Sequence, residues 1–302
     1  MARGGGMCAG TDGYPGGEEE EVEAKGYGDS KLGPGGVMIN RFLGRGGGKG
    51  AEDPGPPSVP FAEPFAARGY VHGPTPCRLC FRSPESTLSL GDWRLQNDPG
   101  YYGSSRPSVL VLGFSKGAHQ SRAAARGEFD RIAFAGMRHR LQAVLETLGL
   151  MPSDRGIDHL ISAEETDFGF ASLVRCSLCR MDGGRCTTSG DVIASAFRSA
   201  ETRSIIKRCA DTYLGRLPGS VKLVVLLGTA DGYVANATSI FSELYGDFAP
   251  VDEVAFRAGG TMWVFAAHPS PGNGHFQAWV SGEADKAPGR KRVLAPRATE
   301  RD

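Results

Sequence analysis

Three groups of residues in this sequence have the types and spacing that do chemistry. His268-Pro269-Ser270-Pro271 sets an imidazole ahead of two prolines, whose fixed backbone holds the ring ready to give or accept a proton. Gly113-Phe114-Ser115-Lys116-Gly117 and Gly228-Thr229-Ala230 are glycine-bearing turns that let backbone N–H groups approach a ligand, and Ser115 and Lys116 add a hydroxyl and an ammonium. Cys77-Arg78-Leu79-Cys80, Cys176, Cys179, Cys186 and Cys209 are a supply of thiolates for a metal. Each group also has an ordinary structural reading: a half-buried, hydrogen-bonded His, a free buried Cys at 179 or 186, and solvated helix faces for basic clusters such as Arg138-His139-Arg140.

These residues are positioned by an alternation of apolar runs and helical patterns. Ser108 to Leu112, Phe168 to Val174, Val221 to Leu227 and Met262 to Ala266 read as buried strands. Met137, Leu141, Val144, Leu145 and Leu148 share one face of a helix that Gly149 ends. Residues 191 to 217 carry a helical pattern, as one long helix or two shorter ones. Buried strands alternating with helices predict an α/β fold on a parallel sheet covered on both faces. In such sheets ligands bind beyond the carboxyl ends of the strands, which is where the two glycine turns and His268 fall.

The chain has 302 residues, with 34 Lys+Arg balanced by 34 Asp+Glu, so it is no polycation and its charge neither requires nor excludes nucleic acid. Residues 1–60 hold 18 glycines and 6 prolines, a content that predicts a disordered tail ahead of one domain over 61–302. No apolar run is long enough for a membrane span or for the h-region of a signal peptide, so a soluble protein at a cytoplasmic address is expected. Seven cysteines there are expected to be free thiols or metal ligands rather than disulfides.

In order along about 200 residues, from Cys77 to about Trp279, the motifs resemble those of the uracil-DNA glycosylase superfamily, most closely its iron-sulfur branch. Val109-Leu110-Val111-Leu112-Gly113 stands where the family has the strand ending in its water-activating motif; Phe134-Ala135-Gly136 is similar to its base-stacking element. Ala171-Ser172-Leu173-Val174-Arg175-Cys176 resembles the strand that carries a base-reading Asn and then a cluster Cys. Leu227-Gly228-Thr229-Ala230-Asp231 and His268-Pro269-Ser270 complete the set. The resemblance implies a three-layer αβα sandwich with a central, mainly parallel four-stranded sheet, its core over about 77–280.

It further implies a monomeric base-excision repair hydrolase that flips a deaminated or damaged base, of the uracil or hypoxanthine class, from DNA and cleaves its glycosidic bond. His268, Ser115 and Lys116 would be catalytic; Gly113, Phe114, Phe134 and Ser172 would hold the base; and Ser270, Asn273 and Phe276 would touch DNA, Phe276 as a wedge or else as a core residue. Cys77, Cys80, Cys176 and Cys209 would ligate a [4Fe–4S] cluster, the alternative being zinc on Cys77, Cys80, Cys176 and Cys179. The chain departs from the family at two places. Phe114, Ser115 and Lys116 include no carboxylate to activate water, and Ser172 replaces the Asn. The first departure leaves a leaving-group route through His268, or a nucleic-acid-binding protein without turnover. A phosphate binder using the Gly113 loop is the third class, though no Gly-Lys-Ser/Thr or G-x-G-x-x-G pattern supports it.

Overall fold

The structure is a computed structural model that describes residues 69–81, 86–117, 120, 129–188 and 190–299. The tail expected over 1–60 lies outside them. Twelve strands occur among the described residues: β1 Gly73–Pro74, β2 Thr87–Leu90, β3 Trp93–Gln96, β4 Gly100–Gly103, β5 Val109–Gly113, β6 Phe168–Ser172, β7 Ser177–Asp182, β8 Arg185–Thr187, β9 Leu223–Leu227, β10 Ala249–Asp252, β11 Ala255–Ala258 and β12 Thr261–Ala266. The helices are α1 Phe129–Ile132, α2 Arg138–Thr147, α3 Ile157–Leu160, α4 Gly190–Arg198, α5 Ala200–Leu214, α6 Asp231–Leu244, α7 Phe276–Ser281 and α8 Ala287–Thr299. The pattern over 191–217 therefore makes two helices, α4 and α5.

The main sheet runs β1-β4-β6-β5-β9-β12-β11-β10. Its centre, β6-β5-β9-β12, is parallel throughout and is made of the four runs read from the sequence. All residues of β5 and β9 are buried, which is why they are continuous Val/Leu runs without a polar alternation. The sheet has eight strands rather than the four expected, because antiparallel pairs extend both sides of that centre. Both outermost strands contain a proline, Pro74 and Pro250, tolerated where one row of backbone groups faces no partner.

The sequence also gave no warning of a second sheet, β2-β3-β7-β8, whose strands are short and half exposed. Its β7–β8 hairpin contains a Cys179–Cys186 disulfide. This corrects the expectation of free thiols: neighbouring strands bring the two Cα atoms to 5.5 Å, within disulfide range. The cysteine count thereby ceases to argue for a reducing compartment.

The strongest helix packing forms two groups, α2 with α3, α7 and α8, and α4 with α5 and α6. The chain steps from β5 to β6 through α1, α2 and α3, then crosses back over β5 to β9 through α4 and α5. This reversal between β5 and its neighbours is a topological switch point, the place where open α/β sheets leave a crevice. Among the described residues no helix is long and apolar enough to cross a membrane.

Candidate functional sites

Strand register sets the crevice edge. Gly113 pairs with Ser172, Leu112 with Leu226, and Leu227 with Ala266, so the exits of the four parallel strands share one edge of the sheet. Two strand spacings, about 10 Å, separate β5 from β12, so Gly113 and Ser172 lie along the same edge as His268 and not against it. Gly228 has φ +152°, and a Cβ there would come within 2.6 Å of the Tyr233 ring; this turn accepts only glycine.

His268 is held by its own loop. The Ser270 N–H donates to His268 Nδ1 at 3.1 Å, so the ring proton belongs on Nε2, which is left as a donor. Asn273 Nδ2 donates to the His268 carbonyl at 2.8 Å, Asn273 Oδ1 accepts the His275 N–H, and Ser270 Oγ accepts the Gly272 N–H. Ser270 and Asn273, expected at DNA, are thus the braces of the histidine loop. Burial first, and then the Arg140 charge, push the imidazole's pKa down to about 4, so it is neutral at physiological pH. Arg140 reaches over from α2, its guanidinium 3.8 Å above the Phe276 ring and its Nη2 3.5 Å from the Asn273 carbonyl oxygen. Sequence reasoning had left Arg140 in a surface cluster, and only the docking of α2 against α7 reveals its place.

Other expected site residues fall elsewhere. Phe276 is 7% exposed beneath Arg140, so it is the core residue of the two readings and no wedge. Phe114 is buried, its ring tilted against Phe197 of α4. Ser115 Oγ donates to the Leu178 carbonyl at 3.3 Å. Lys116 is 7% exposed and its Nζ lies 3.6 Å from Asp98 Oδ1, where burial holds its pKa below the ordinary lysine value. Asp98 also accepts from the Ser177 N–H and Oγ, each at 2.7 Å. A buried ion pair thus engages Lys116, which was expected to be catalytic. Phe134 is buried edge-on to Phe170, with φ +54°, the one non-glycine residue in the left-handed region among those described. Ser172 is half-buried, and a Cβ built on Gly113 would meet only its Oγ, at 3.9 Å, so room remains above that strand end.

The second site is a pocket walled by Cys77, Cys80, Cys176 and Cys209 together. All four thiols are free. The Phe81 N–H bonds the Arg78 carbonyl and turns the C-x2-C loop, and Arg208 Nη1 ties the Leu79 carbonyl to α5, the helix that carries Cys209. Cys176 follows the exit of β6. Leu79, Leu95, Val174 and Ile205 add apolar surface, and Arg175, Arg208 and Tyr213 also line the wall. Burial pushes the Cys209 thiol up to about 12 and raises Cys176 and Cys80 as well, so without a cation these thiols stay protonated. The Arg175 N–H donates to Cys209 Sγ at 3.2 Å.

At this pocket the Tyr213 hydroxyl lies beside the Cys77 thiol, and all three side-chain nitrogens of Arg175 are buried without an acceptor. Neither was legible in the sequence, although Arg175 stands next to Cys176. Cys179, closed in its disulfide, is removed from the ligand set and with it the zinc alternative that used it. Four thiols on one apolar pocket fit a thiolate-ligated group in donor chemistry. Among the described residues no three His, Cys, Asp or Glu side chains converge on a position for a single metal ion. No known family model matches the chain, and no curated protein matches it.

Proposed function

We propose that the chain is a DNA glycosylase-like enzyme of the uracil-DNA glycosylase type, which takes a deaminated or damaged base out of DNA and hydrolyses its N-glycosidic bond. The observation that carries this reading is His268, a neutral imidazole presenting Nε2–H at the carboxyl edge of a parallel sheet. A hydrogen bond from Nε2–H to a carbonyl oxygen of the base strengthens as the C1′–N bond breaks and its electron pair moves onto the leaving base. Water then adds to C1′, and its proton leaves to solvent or to the base. Because the imidazole stays neutral, it acts as a donor to developing charge and not as an acid.

The loop Gly113–Gly117 has no carboxylate, so the catalytic effect rests on the leaving group. Ser172 and the Gly113 strand end would receive the base edge, and Phe134 would support it from within the core. Two helix groups about one sheet, entered by connections that step in opposite directions, are what a three-layer αβα sandwich requires. Cys77, Cys80, Cys176 and Cys209 would hold a [4Fe–4S] cluster, whose contribution is to cross-link the C-x2-C loop, the β6 exit and α5.

The second reading, a nucleic-acid-binding protein without turnover, is favoured by the same missing carboxylate and by Ser115 being bonded to Leu178. Single-stranded and duplex oligonucleotides carrying uracil, hypoxanthine, xanthine or an alkylated base separate the two. Abasic sites formed on one of them support the enzyme. DNA binding with no abasic product on any of them establishes the second reading.

A further inference from the structure

Arg175 is 2% exposed, and its Nε, Nη1 and Nη2 are all buried without a hydrogen-bond acceptor. A guanidinium carries its charge at every accessible pH, so burial cannot neutralise it as it would a lysine. Its surroundings are three tyrosine rings, with the guanidinium carbon 4.8 Å from the centroid of Tyr213 and 5.5 Å from those of Tyr70 and Tyr101. Cation–π contacts offset only part of the cost of a desolvated charge. The rest requires a negative group close by. The residue's place supplies the direction: it adjoins Cys176 in the chain, its own N–H is bonded to Cys209 Sγ, and it helps wall the four-cysteine pocket.

We propose that Arg175 is the built-in counter-charge of the anionic four-thiolate group in this pocket, setting both its retention and its reduction potential. This rests on the cofactor reading above. Four thiolates outweigh the positive charge of an iron-sulfur core, so the ligated group is a net anion in an apolar wall. A fixed cation beside it favours the electron-rich state and thus raises the potential, and it opposes loss of the anion. Arg208 also lines the pocket and reaches Cys80 from α5, but it is exposed and screened by water.

The test uses the protein as purified, with Arg175→Met, Arg175→Gln and, as a cation on α5 outside the pocket, Arg203→Gln. Iron and sulfide content, the rate of bleaching by an iron chelator, the midpoint potential by mediator titration and the melting temperature are read for each. Arg175→Met is expected to bleach about ten- to a hundredfold faster and to shift the midpoint to more negative values, as loss of an outer-sphere partner does to metal sites elsewhere. Arg175→Gln should follow Arg175→Met, and Arg203→Gln should stay near wild type. A wild-type midpoint and bleaching rate in Arg175→Met overturn the proposal while leaving the cluster in place. If Arg175→Met does not accumulate folded, Arg175→Gln decides. Bleaching faster by tenfold or more then supports charge as the cause, and a wild-type midpoint and bleaching rate overturn it. Wild-type protein without iron or sulfide overturns the cofactor reading itself, before any variant is compared.

Discussion

The crevice and the cysteine pocket stand at opposite extremes of polar satisfaction. At the crevice His268 Nδ1, the Asn273 amide, Ser270 Oγ and Ser115 Oγ all have partners from the chain, and Lys116 has Asp98. At the pocket four thiols, the Tyr213 hydroxyl and the three Arg175 nitrogens converge with few or none. Buried polar groups are rarely left unsatisfied in a folded chain, which is what motivates the proposal of a thiolate-ligated group in the second region, whereas the proposal for the first relies on the chain's own atoms. The crevice has orphans too, the Nε of Arg140 and the hydroxyl of Tyr233 beside the Gly228 turn.

The contrast breaks most sharply at the cysteines. Replacing Cys77, Cys80, Cys176 or Cys209 by Ala should each abolish the visible absorbance and the iron and sulfide, about four of each per chain in wild type. Replacing Cys179 and Cys186 together by Ser should leave both in place, since their disulfide lies outside the pocket. Iron surviving any of the four single replacements would show that the pocket is not the ligand set.

Lys116→Met sharpens the other side. Asp98 would keep its two bonds from Ser177 but lose its cation, and a cost of about 1–3 kcal/mol in urea unfolding is expected, with DNA affinity and its salt dependence unchanged. A drop in affinity for undamaged DNA would instead give Lys116 a phosphate contact.

The smallest effect expected is on pH dependence. His268 titrates near 4 in the fold against an ordinary 6.5, so between these values the folded chain binds fewer protons than the unfolded one. The stability due to the neutral ring is complete above about 6.5 and is lost as pH falls toward 4. Arg140→Gln removes the smaller of the two causes and should raise the folded pKa. The acid limb of base release would then begin at higher pH, while acid destabilisation would shrink. Single-turnover rates and urea midpoints between pH 4 and 7 check both, and an unmoved acid limb would remove Arg140 from the site.

What the sequence disclosed follows from range. The β5, β6, β9 and β12 runs, their exits and the C-x2-C pair are contiguous signals, and they yielded the parallel centre of the sheet and both candidate sites. The Lys116–Asp98 pair, the cage around Arg175 and the docking of Arg140 on Phe276 join residues far apart in sequence, and no periodicity announces them. The second sheet escaped because its strands are short and only partly buried, and the Cys179–Cys186 bond because a compartment argument stood in for geometry.

The most direct test is the single-turnover rate of base release by wild type and by His268→Ala, on whichever lesion the oligonucleotide panel shows to be cleaved. A neutral donor that acts only as charge develops on the leaving base requires a fall of roughly ten- to a thousandfold, with DNA affinity and iron content held. An unchanged rate in a folded, iron-loaded variant would contradict it and leave the crevice without a catalytic residue.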